Sequence, residues 1–334
     1  MNSSQKSPIK PVTIRDVWQA RKRISSIVKK TPLIYSPVLS EQVHADVYLK
    51  LENVHEVGAF KVRGAANKIL GLTPEEQKRG VTTYSTGNHG LAVSYVAKRL
   101  GIPAVICVSE RVPQAKTRSI QRLAAQIEIC GHGQDDARAR CYQLQKELGL
   151  TTIEPFDDPH VIAGQGTIGL ELLEDLPDID MAITGLSGGG LISGIGLALK
   201  ANDPQIKVIG VSMEQSAVMY ESLKAKKPVE LKEQDTLADS LLGGIGLDNR
   251  YTFSMVQKYM DQAVLVSEQA ISEGMAYLFT NHRMAVEGAA AVGISAILQQ
   301  KIKRPGCKIA IIVTGCNVDP DVHFKAISPF ILPG

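Results

Sequence analysis

The chain has 334 residues, a length that holds about two domains of ordinary size. Hydrophobic residues at 44% and charged residues at 21% give the balance of a soluble protein with large cores, which excludes collagenous and disordered classes. The formal net charge of +3 is too small and too evenly spread to direct the protein to nucleic acid or an anionic membrane, and no nucleic-acid-binding motif is present.

The Met1–Lys10 stretch is polar without an apolar run, so a secretory signal is not expected, and nothing approaches the roughly 18 apolar residues of a membrane span. The five cysteines (Cys107, Cys130, Cys141, Cys307, Cys316) are odd in number and form no CxxC pair. Neither a disulfide framework nor a zinc site is expected, and the cytoplasm is the expected compartment.

Short β-branched runs alternate with longer amphipathic stretches, the pattern of an α/β protein with mainly parallel strands. Val81–Tyr84 reads as a strand, followed by the turn Ser85–Gly87 and a helix over Asn88–Leu100 with Gly101 as its stop. Ala104–Val108 and Ile127–Cys130 read as strands, with a helix between them over about Gln114–Ala124 and a polar helix after them from Gln134 to Leu148. The block from about Thr82 to Asp157 reads as one small open-sheet lobe. Met181–Thr184 opens a second set: strand, glycine-rich turn, then a helix from Leu191 to Lys200. Val208–Met213 and Lys308–Thr314 read as buried strands, Gly288–Leu298 as a buried helix, and the charged Ala225–Asp235 as a surface connection. The division expected is 1–81 with 158–334 as a large domain and 82–157 as a small one.

Four constellations carry chemistry. In GAFKVRGA (58–65), Lys61 has a mostly apolar neighbourhood, and desolvation there lowers an amine's pKa and makes it nucleophilic. An ordinary surface lysine at a helix start fits the same string. In TGLSGGGL (184–191), consecutive glycines between strand and helix let backbone N–H groups face a phosphate. It is neither a Walker A loop nor GxGxxG, and a plain tight turn is the alternative. In STGNHG (85–90), hydroxyls, an amide and free N–H groups at a helix start suit a carboxylate, and simple capping by Ser85, Thr86 or Asn88 fits equally. TGCNVD (314–319) ends a buried strand, where open α/β sheets face their ligand crevice.

Together with MAVEGAA (284–290), these strings resemble, in order and spacing, the fold-type II pyridoxal-phosphate enzymes, closest to the threonine dehydratase/serine racemase family. The resemblance spans roughly Ile14 to Asp319. VSME (211–214) and GGIGLDNRYTF (243–253) also resemble the hydroxyectoine-utilisation dehydratase branch. It implies a tryptophan synthase β-like fold of two open twisted-sheet domains, with pyridoxal 5'-phosphate in the cleft between them. Lys61 would be the Schiff-base lysine, Phe60 would pack at the pyridine ring, and Asn88 would bond the cofactor's phenolic oxygen. Ser187, Gly188, Gly189, Gly190 and Leu191 would cradle the phosphate, Thr314 would face the ring nitrogen, and Glu287 would lie near the cofactor. Ser85, Thr86, Gly87 and His89 would line the substrate carboxylate pocket. A β-hydroxy amine or amino acid losing water is the implied substrate, and a homodimer the implied assembly.

The sequence departs from the family's pattern in several places. Thr86 stands where racemases have a serine on the face opposite the lysine; a β-branched hydroxyl is stiffer at χ1, which argues against racemisation. Val218, Met219 and Tyr220 stand where the racemase branch needs an acidic residue after Glu214, so no metal is expected. Ser187 and Ser240 replace glycines. Asn249 and Arg250 are the candidates for a second polar contact to the substrate. A racemase with side elimination, a non-catalytic ligand-binding relative and a nicotinamide oxidoreductase are the alternatives.

Overall fold

The computed structural model describes residues 10–85, 87–110, 119–302 and 306–331. In chain order its strands are β1 (Leu33–Tyr35), β2 (Asp46–Leu51), β3 (Val81–Thr83), β4 (Ala104–Val108), β5 (Gln126–Ile129), β6 (Thr151–Thr152), β7 (Met181–Gly185), β8 (Lys207–Met213), β9 (Gln262–Val266) and β10 (Lys308–Val313). They form a six-stranded sheet ordered β1-β2-β10-β7-β8-β9 and a four-stranded sheet ordered β5-β4-β3-β6. Among the strands of the described residues, β1 runs antiparallel against β2 and the other strand pairings are parallel.

Parallel strands need both faces covered, and the large sheet shows how its sequence meets that need. Along β10, Ile309, Ile311 and Val313 enter one core with helices Glu268–His282 and Gly288–Leu298, while Ala310 and Ile312 enter the other with helices Pro159–Asp175 and Gly190–Asn202. The small sheet packs Val81, Ile106 and Val108 against Ala92, Val93 and Val96 of the Asn88–Leu100 helix. The same core takes Val62, Ala65, Ala66 and Ile69 from the Lys61–Leu70 helix and Ile24 and Ile27 from the chain before β1.

Helices Asn88–Leu100, Gln134–Leu148 and Gly288–Leu298 and strand β4 have the bounds read from the sequence, and Gly101 closes its helix at φ +67. Of the expected Gln114–Ala124 helix, residues 114–118 lie outside the described residues; Ser119–Gln121 are helical and Arg122–Ala124 form a turn. Helix Pro159–Asp175 has no counterpart in the sequence reading: it is buried on nearly all sides and carries three glycines, so it shows no polar stripe to mark its period. β6 is missed because two residues hold no alternation. No helix of the described residues is long and apolar enough to cross a membrane.

Candidate active site

β3, β7 and β10 end at one cleft of about 560 Å³ between the two sheets. The GAFK segment is stitched to the chain leaving β10 by an antiparallel bridge between Ala59 and Gly315, with the Phe60 N–H donating to the Thr314 carbonyl at 3.1 Å. Lys61 then opens its helix, and its Nζ donates to the Pro155 carbonyl at 2.6 Å. Burial pushes its pKa down to about 8, against the opposing attraction of Glu287. Phe60 lies beside it, the ring centroid 5.3 Å from Nζ.

Opposite, β7 turns into helix Gly190–Asn202 through Ser187, Gly188 and Gly189. Gly189 sits at φ +87, and a Cβ there would come within 2.9 Å of Met219 and Val256; a Cβ on Gly188 would collide with the Phe156 ring. The turn thus brings side-chain-free glycine backbone at the start of a thirteen-residue helix to the cleft, an arrangement that fits a phosphate. Ser187, Gly188, Gly189, Gly190 and Leu191 all line the cleft.

The Asn88–Leu100 helix starts with Gly87 as its N-cap, and no side chain caps it. The capping alternative thus does not hold for Ser85 or Asn88, and Thr86 lies outside the described residues. Asn88 instead donates its Nδ2 to Glu287 Oε1 at 2.8 Å and Oε2 at 3.0 Å, and accepts from Asn317 at 2.6 Å. His89 Nε2 bonds the Ile153 carbonyl at 2.9 Å. A carbonyl can only accept, so Nε2 carries the proton and the buried Nδ1 is bare and without a protein partner. Burial and the Lys61 charge lower the His89 pKa to about 3. His89 is therefore neutral and brings no positive charge to this turn. Ser85, Gly87, Asn88 and His89 line the cleft together with Glu287 and Thr314.

Glu287 is buried, and burial raises its pKa to about 7 although the Asn88 amide and the Ser240 hydroxyl bond it. Asp239 and Ser240 line the cleft beside it. Glu214 is paired with Lys301 at 3.4 Å. Asn249 and Arg250 do not line this cleft. Asn249 is spent on the backbone, donating to Ile245 O at 2.9 Å and accepting from Phe253 N, and Arg250 is exposed with its guanidinium over Tyr251. Pro155, Phe156 and Tyr84 were missed by the sequence reading; the FDDP string at 156–159, a cap before a helix, was the available signal.

The profile of the pyridoxal-phosphate dependent enzymes matches residues 24–315. The chain is 41% identical to the L-threonine ammonia-lyase of Thermotoga maritima over 95% of its own length and 78% of the relative's. It is 38% identical to the catabolic L-threonine dehydratase of Staphylococcus aureus over 92% and 90%. Among solved structures, maize serine racemase superposes with a TM-score of 0.90 at 33% identity, covering 96% of this chain and 98% of that one. With a half-buried lysine across one cleft from a glycine turn, the chain belongs to the pyridoxal-phosphate dependent enzymes, as a lyase of the threonine dehydratase-like kind.

Proposed function

We propose that the protein eliminates water from a β-hydroxy amino acid of the threonine or serine class, giving a 2-oxo acid and ammonia. The observation that carries this reading is Lys61: an amine with its pKa near 8, aimed into the cleft across from the glycine cradle. When bound, the cofactor supplies an electron sink for the charge left at Cα. The chain's own residues do the rest. N–H groups at the start of the Asn88–Leu100 helix hold the substrate carboxylate. The neutral Lys61 amine takes the α-proton. Gly188, Gly189 and Gly190 would hold the cofactor's phosphate, and Phe60 and Asn88 would border its ring. Thr314 offers a hydroxyl, which cannot hold a ring nitrogen protonated as a carboxylate would, so loss of the β-hydroxyl is favoured over prolonged proton exchange. The released enamine hydrolyses in water.

For the narrower substrate we propose a hydroxyectoine-derived amine. Leu242, Gly243 and Gly244, at the start of the resembling stretch, line the cleft and support a substrate-shaping role for it. A homodimer and a cytoplasmic site complete the proposal; the free cysteines suit a reducing compartment. The test is 2-oxo acid formation from L-threonine, L-serine and hydroxyectoine-derived amines by the cofactor-loaded protein, with chiral analysis of the serine. Elimination without D-serine supports the reading, and dominant D-serine overturns it. Lys61→Ala should abolish turnover; substantial dehydration by that variant would remove Lys61 from the mechanism.

A further inference from the structure

The segment Ile153–Asp158 contacts Lys61, His89 and the glycine turn of the cleft. The Ile153 N–H pairs with Thr82 O at 2.8 Å, and its carbonyl accepts from Thr83 Oγ1 and His89 Nε2, both at 2.9 Å. The Pro155 carbonyl accepts from Lys61, and Phe156 covers the glycine turn. The Asp157 carboxylate accepts the N–H groups of Arg250, Tyr251 and Thr252 at 2.7–2.9 Å. Between these stands Glu154. Its carboxylate takes Tyr84 OH at 2.8 Å on one oxygen and Tyr142 OH at 2.7 Å on the other.

Glu154 makes no ion pair among the described residues; the nearby Arg138 guanidinium stacks on both phenol rings instead, 6.0 Å from Tyr84 and 5.7 Å from Tyr142. Burial and the Glu154 charge raise the pKa of both phenols, that of Tyr142 to about 12, so both remain donors. A bond from a phenol to a carboxylate is charge-assisted and directional, which suits fixing a ring in place. Tyr84 is the wall of the cleft immediately before Ser85, so fixing its ring fixes the first residue of the anion-binding turn.

We propose that Glu154 is a positioning residue for the amino-acid half of the cleft, holding the Ser85–His89 turn in register with Lys61 through Tyr84. The proposal rests on the dehydratase reading, in which that turn takes the substrate carboxylate. Proton removal from Cα needs the carboxylate turn and the lysine aligned to within a fraction of an ångström, and this segment is bonded to both. The Glu154 carboxylate bonds Tyr84 and Tyr142 and neither Lys61 nor the glycine turn, so the effect should fall on the amino acid and spare the cofactor.

The experiment measures KM and kcat for L-threonine, the dissociation constant of pyridoxal phosphate, and the change in cofactor absorbance on titration with L-serine. Glu154→Ala should raise KM and the L-serine dissociation constant by about tenfold, with cofactor affinity within about twofold of wild type. Glu154→Gln keeps an acceptor and should recover most of the loss. Adding Tyr84→Phe to Glu154→Ala should cost nothing more, because Glu154→Ala already removes the Tyr84 contact. Additive losses, or cofactor affinity and thermal stability falling with KM unchanged, would overturn the proposal. Should Glu154→Ala not fold, the isosteric Tyr84→Phe carries the same expectation. A wild type inert toward L-threonine and L-serine counts against the dehydratase reading alone; the L-serine titration still decides the role of Glu154.

Discussion

Two opposed shifts meet at the centre of the cleft: the Lys61 amine is easier to deprotonate than an ordinary lysine, and Glu287 is harder to ionise than an ordinary glutamate. Both follow from burial, which penalises whichever form is charged. Only the neutral amine can attack the cofactor's carbonyl carbon. Capture, read as growth of visible absorbance, should therefore rise about tenfold per pH unit below pH 8 and level off above it. Glu287 attracts the ammonium and holds the lysine pKa up, so Glu287→Gln should move this profile to lower pH. A profile moved upward would show that the Glu287 charge is not felt at Lys61. Gly189 is a poor place to probe the phosphate cradle, because a side chain there strains the backbone and meets Met219 and Val256. Ser187 is better: it lines the cleft with room for its hydroxyl, and Ser187→Gly should weaken cofactor binding about fivefold through one lost hydrogen bond. Unchanged affinity would turn the Ser187 hydroxyl away from the phosphate.

Local strings reveal the elements that bear these groups, because a turn between strand and helix is written in consecutive residues. GAFK, STGNHG, SGGG and the Glu287 helix start were all readable, and Phe60, Lys61, Ser85, Gly87, Asn88, His89, Ser187–Gly190 and Glu287 of them line one cleft. The fixation of the Lys61–Leu70 helix was not readable, since the partners of Arg63 are ordinary residues 11 and 108 positions away. Fully buried, Arg63 bonds Glu52 through Nε and Nη2, both at 2.7 Å, and Glu171 through Nη1 and Nη2 at 2.7 and 2.9 Å. Lys50 Nζ adds a contact to Glu171 at 2.7 Å and to Thr31 O at 2.7 Å, so two cations balance two carboxylates out of water. Breaking such a cluster leaves an unpaired buried charge. Arg63→Met should lower unfolding free energy by about 3–5 kcal/mol, measured by denaturant titration of the cofactor-free protein, while Arg63→Lys, keeping the charge and losing the fork, should cost less. A loss below about 1 kcal/mol in Arg63→Met would mean that water reaches the cluster.

At the scale of the whole chain, alternating β-branched and amphipathic runs reveal β3, β4, β5, β7, β8 and β10, whereas β1, β2, β6 and β9 and the sharing of cores between segments are not legible in them. The division proposed from the sequence, 82–157 against the remainder, keeps nearly all of the four-stranded sheet on one side. Beneath that sheet, however, lie Val62, Ala65, Ala66 and Ile69, and Ile24, Ile27 and Val57, all contributed from before residue 81. These side chains pack on Val81, Val93 and Ile106, so a fragment confined to 82–157 exposes one face of its sheet-and-helix layer to water. At ~1.5–3 kcal/mol for each large aliphatic side chain left without its partners, the deficit rivals the whole stability of a domain this size. The isolated 82–157 fragment should therefore lack a cooperative thermal transition and bind a hydrophobic dye, whereas a fragment extended back to residue 55 recovers the Lys61–Leu70 helix and part of that transition. A sharp, reversible unfolding transition in the 82–157 fragment alone would show that this lobe folds without the borrowed residues, and the Lys61 helix would then belong energetically to the large sheet.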